Sequence, residues 1–74
     1  MSKLETYFGK KVSLVSDDGR TYIGKVGDFI EGKYNDPSFE DCIIMDDLVR
    51  DDGTREKYPV QFNESEIIKI DTIE

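Results

Sequence analysis

Histidine and tryptophan are absent from this chain, and cysteine occurs once, as Cys42. Without histidine there is no imidazole to shuttle protons near neutral pH, so histidine-based catalytic triads and the common zinc sites are excluded. One cysteine cannot close an intramolecular disulfide, which fits a reducing compartment. It lies in Cys42-Ile43-Ile44-Met45, a setting in which a thiol serves as a small buried hydrophobe. No apolar run is long enough to cross a bilayer, and no signal-peptide pattern is read at the start. A cytoplasmic protein with no membrane partner is the expectation. Cations are also scarce, with 10 Lys and Arg against 17 Asp and Glu and a net charge of −7. Duplex DNA binding depends on clustered cations that neutralise phosphates, so duplex DNA is not an expected partner.

What is present favours a small folded domain. The 74 residues are 36% hydrophobic and include four Phe and four Tyr, enough bulk to pack one core rather than remain disordered. A chain of this size buries only about 60% of its unfolded surface, so association is a natural source of further stability. One domain over 1–74 is expected.

The organising stretch is Val12 to Phe29. Val12 and Leu14 alternate with polar neighbours, as on one face of a strand. Asp18-Gly19 supplies a short hairpin turn with residues that tolerate positive φ. Tyr22, Gly24 and Val26 continue the two-residue period, but Phe29 comes three positions later. That step changes the face of the strand, so the chain must bulge near Gly27.

Around this ribbon the pattern predicts a short N-terminal helix within 1–9 and five antiparallel strands in 10–74. Ser2 caps the helix, Lys3 to Phe8 form its body and Gly9 stops it, with Leu4, Tyr7 and Phe8 turned onto the core. The strands are expected at about Lys10 to Val15, Arg20 to Ile30, Phe39 to Met45, Arg55 to Phe62 and from Ile67 onward. Glu31 to Ser38 and Asp46 to Thr54 read as connections, and Asn63 to Glu66 as a turn of 3₁₀ helix. Tyr58, Val60 and Phe62 alternate on one face of the fourth strand. Pro59 lacks the N–H a ladder needs, which leaves that strand free on one side. The architecture expected is all-β, a five-stranded antiparallel bent barrel of SH3-like size.

The ribbon also resembles the first signature of the Sm and Sm-like (LSm) proteins, in which Val12, Leu14, Asp18-Gly19, Gly24, Val26 and Phe29 fill the corresponding places. The leading helix and the spacing of Ile67, Ile70 and Ile73 are similar to that family as well. The resemblance implies an Sm-like fold, assembly into rings and binding of single-stranded RNA. At the family's RNA-contacting positions this chain differs. Ile30 follows the aromatic in place of Asp, Tyr34-Asn35 stands for the later pair with one residue inserted, and Ile68-Lys69 replaces Arg-Gly.

No nucleophile is read beside a base, so no catalytic residues, no cofactor and no enzymatic activity are expected. Asp17-Asp18, Asp46-Asp47 and Asp51-Asp52 lack the order of ligands in a calcium loop and read as turns and solvated tips, so no metal site is expected either. Two binding readings remain. The first is a binding or assembly module with a protein partner or a second copy, using a strand edge in which Arg55, Lys57 and Pro59 lie. The second is an Sm-like oligomer on single-stranded RNA, with Tyr34 as a stacking surface, Lys33 and Asn35 beside it and Lys69 on the last strand.

Overall fold

The computed structural model describes residues 3–34 and 39–73, with Lys3 described by its backbone only. The architecture is all-β. Five antiparallel strands, β1 (Lys11–Ser16), β2 (Thr21–Ile30), β3 (Cys42–Arg50), β4 (Val60–Asn63) and β5 (Ile67–Thr72), lie in the order β4-β3-β2-β1-β5. Among the described residues a short 3₁₀ helix at Lys3–Tyr7 precedes β1, and others at Gly32–Tyr34 and Glu64–Glu66 lie between strands. β4 and β5 are each paired on one side only, so no ladder between them closes the sheet among the described residues.

The β1–β2 hairpin turns where the Asp-Gly pair was expected to turn it. Ser16 N–H donates to Arg20 O at 3.0 Å, and Gly19 N–H to Ser16 O at 2.9 Å. Gly19 takes the left-handed backbone, at φ 83°, as a three-residue hairpin loop requires. Asp18 contributes differently from the expectation. It does not adopt positive φ; its carboxylate binds the turn instead.

Beyond the turn the buried face runs Tyr22, Gly24, Val26, as the period requires. The change of face before Phe29 is a bulge: Val26 lies opposite Met45 but Asp28 lies opposite Ile44, leaving Gly27 as the extra residue. Phe29 thereby packs against the core. A second bulge sits on the facing strand. Ile23 opposes Val49 and Lys25 opposes Asp46, so β3 carries one extra residue there. Within that span Asp47 adopts φ 52°, a backbone that a short polar side chain tolerates better than most.

This second bulge corrects the expected third strand. Asp46 to Arg50, read as a loop, continues β3, and Leu48 is buried at 1% exposure. The strand also starts later than expected. Phe39 takes φ 54°, which an extended strand cannot accommodate, and pairing begins at Cys42. The fourth strand is shorter than its alternation implied. Arg55 makes a single bridge to Val49, and continuous pairing starts only after Pro59. Tyr58, expected to share a face with Val60 and Phe62, is exposed because it precedes the ladder.

The N-terminal helix is a 3₁₀ helix over Lys3–Tyr7, one residue shorter than expected. Three residues per turn bring Leu4 and Tyr7 onto one line and leave Phe8 off it. Leu4 is accordingly buried, Tyr7 packs against the core, and Phe8 is exposed rather than covering it. The expected cap at Ser2 lies outside the described residues.

Val12 and Leu14 from β1, Val26 from β2, and Ile43, Met45 and Leu48 from β3 are fully covered. Tyr22 and Phe62 meet across this core with ring centroids 5.2 Å apart, in the tilted arrangement favoured by aromatic pairs. Cys42 is also fully buried, and burial pushes its thiol above the ordinary value.

Candidate functional site

The candidate surfaces are the two margins of the sheet and the connection after β2. Antiparallel pairs alternate between hydrogen-bonded and non-bonded residues, so the bonds at one end of a ladder fix which groups face outward along it. On β5, Ile73 N–H donates to Lys11 O at 3.0 Å, which makes Ser13–Asp71 and Val15–Lys69 the bonded pairs with β1. The main-chain groups of Ile70 and Thr72 therefore point away from the sheet. Tyr7 covers part of this margin by donating its hydroxyl to Ile70 O at 3.3 Å. Ile68 lies on the same strand, 69% exposed.

The β4 margin is more closed. Glu64 N–H donates to Asp41 O at 2.9 Å, so Ile43–Phe62 and Met45–Val60 are the bonded pairs. Gln61 and Asn63 then face outward, and Asn63 N–H is already bound to Glu66 Oε1 at 2.9 Å. Pro59, in the same outward phase, has no N–H to offer. Arg55, Lys57 and Pro59 are all exposed and lie ahead of this strand. The outward-facing main-chain positions are Gln61 on one margin and Thr72 and Ile70, its carbonyl already taken by Tyr7, on the other, and the sequence pointed to none of them as a margin contact. Counting the ladder phase back from the hairpin is the signal that finds them.

Of the residues expected to contact RNA, Lys33 and Tyr34 are together. The Lys33 ammonium stands 5.1 Å from the Tyr34 ring centroid, and Tyr34 is 73% exposed. Lys33 is also paired with Glu31 at 3.5 Å. Glu5, Glu31 and Asp41 line the adjoining cleft with Phe29 and Phe39, so carboxylates surround the one lysine there. Lys69 sits on β5, paired with Asp71 at 3.7 Å, and does not line the cleft that Lys33 lines. Asn35 lies outside the described residues.

The acidic pairs serve local turns. Asp18 accepts from the Ser16 hydroxyl, from Arg20 N–H at 2.9 Å and from the Tyr22 hydroxyl at 3.1 Å. These bonds, the Ser16 hydroxyl foremost, hold its carboxyl below the usual range. Asp52 is lowered in the same way by the Thr54 hydroxyl and backbone N–H. Among the described residues no three His, Cys, Asp or Glu side chains converge as a metal centre needs.

No protein-family model matches the chain, and no curated protein matches it.

Proposed function

We propose that this chain is a non-catalytic binding or assembly module of the Sm-like, SH3-like small-barrel kind, and that it takes an extended protein segment along a sheet margin. The observation that supports this is the β5 margin. Ile70 and Thr72 turn their main-chain groups outward there beside the exposed Ile68. An added strand gains main-chain hydrogen bonds from such a margin and selectivity from neighbouring side chains. The segment comes from a partner protein or from a second copy of the chain. With its lone thiol buried, the module suits the reducing cytoplasm.

A second reading, an Sm-like oligomer binding single-stranded RNA, draws support from the exposed Tyr34 ring with Lys33 above it. It ranks below the first because the cleft beside that pair is lined by three carboxylates, which repel phosphate.

Sedimentation velocity with and without a short oligouridylate separates the two. The protein-module reading expects a monomer or dimer whose profile the oligonucleotide leaves unchanged. A stable ring that takes up the oligonucleotide would reverse the ranking. For the margin itself, Thr72→Pro removes an outward N–H and is expected to abolish any dimer, while Gln61→Pro on the other margin leaves it in place.

A further inference from the structure

The outer face of β1, β2 and β3 carries a groove that neither margin uses. Lys10, Lys11, Lys25 and Arg55 line it, together with Asp47 and the apolar Ile23 and Val49. The register explains the clustering. Lys11 lies directly opposite Lys25, Ile23 opposite Val49, and Val49 bridges to Arg55. Lys11–Lys25 is a non-bonded pair, since Val26 N–H donates to Lys10 O and sets the phase, so these two side chains stand at the closer of the two cross-strand spacings.

Like charges directly opposite one another cost stability, and among the described residues no ion pair relieves this one. Among the described residues the ion pairs engage Lys33, Arg50 and Lys69, and none reaches the four cations of the groove. Asp46 is opposite Lys25 in the ladder, but its carboxylate lies against Gly27. Four of the ten cations of a chain with net charge −7 thus line one groove, with Asp47 beside them but in no ion pair with them among the described residues.

We propose that this groove is a docking site for a short acidic segment of a partner protein, with carboxylates on Lys10, Lys11, Lys25 and Arg55 and apolar side chains between them on Ile23 and Val49. The proposal deepens the protein-binding reading above but uses the face of the sheet rather than its margin. Three features favour a peptide over a nucleic acid. Among the described residues no aromatic ring lines the groove to stack on a base. Asp47 lies within it, where it repels the unbroken charge of a phosphate chain, whereas a peptide can set an uncharged residue and its main-chain N–H beside it. The acidic remainder of the surface also disfavours a long polyanion, whereas a short segment stays within the basic patch.

The test is a titration of the ¹⁵N-labelled full chain, followed by amide shifts, with three probes: a short peptide repeating Glu-Asp-Leu, the same peptide with Gly and Ser in place of the acids, and oligouridylate. The expected result is a saturable response to the acidic peptide alone, confined to 10–11, 23–25, 47–49 and 55. Lys25→Glu and Arg55→Glu are each expected to weaken binding about threefold to tenfold, the scale of exposed ion pairs under charge reversal. Lys69→Glu leaves it unchanged. An absent or unsaturable response overturns the groove, as does equal binding of the Gly-Ser peptide or preferential binding of oligouridylate there. Shifts appearing at 68–72 instead would overturn the groove while supporting the margin reading.

Discussion

Asp18 ties together four parts of the hairpin through one carboxylate: Ser16 at the end of β1, its own turn, the Arg20 amide and the Tyr22 ring at the edge of the core. Because these contacts favour the ionised form, its folded pKa lies below the unfolded value of about 3.9. A lowered folded pKa stabilises the fold above the unfolded pKa, and that stability is lost as pH falls through the folded pKa. Asp18→Asn should therefore melt below the parent at pH 7, with the gap closing as pH falls below about 4. Thermal melts followed by circular dichroism across that range test this. A gap independent of pH would mean that the ionised form is not what the turn selects. The turn itself was readable because Asp-Gly has a local preference, independent of what packs on it. The role of Tyr22 as a donor to Asp18 was not readable, since it needs the hairpin to bring the two together.

At the level of elements, β2 is shaped by what its neighbour leaves room for. A Cβ on Gly24 would stand 2.8 Å from Asp46 O and 3.2 Å from the Leu48 Cα, both backbone atoms that cannot swing aside. Gly24→Val should cost about 1–3 kcal/mol, as overpacking does. For a domain of this size that is a fall in Tm of roughly 5–20 °C. A variant that melts with the parent would show that β3 yields at this point. The bend at Gly27 and the inward turn of Phe29 could be inferred from a break in a period of two. The continuation of β3 through Asp46-Asp47 could not. Adjacent acids have the composition of a loop, and only pairing with Ile23 and Lys25 makes them a bulge. Tyr58 failed for the complementary reason, because alternation in sequence does not supply a partner strand.

Across the whole molecule, charge is distributed unevenly: an acidic body bears one basic face. The two proposed kinds of association should then respond to salt in opposite senses. Joining two copies of net charge −7 is opposed by repulsion, which added salt screens as the Debye length falls from about 30 Å at 0.01 M to about 3 Å at 1 M. Docking of an acidic peptide on Lys10, Lys11, Lys25 and Arg55 is weakened by the same screening. Sedimentation and peptide titration at both salt concentrations should give slopes of opposite sign. Slopes of the same sign would remove the distinction between margin and face. Composition alone revealed the acidic balance but not the basic face. Lys10-Lys11 and Lys25 are far apart along the chain and meet only because the turn places Ser16 against Arg20.

The bulges at Gly27 and near Asp47 cancel. Each adds one residue, on opposite strands, so the ladder between β2 and β3 slips by one position and then returns to its former phase. A shortened descendant that lost both residues would keep every remaining neighbour and surrender only curvature. One that lost either extra residue alone would also keep its pairs, whereas loss of a paired residue would carry a mismatch to the end of the strand, inverting the inner and outer faces of everything beyond. Length changes in these two strands are therefore expected to fall at the two bulges rather than between them.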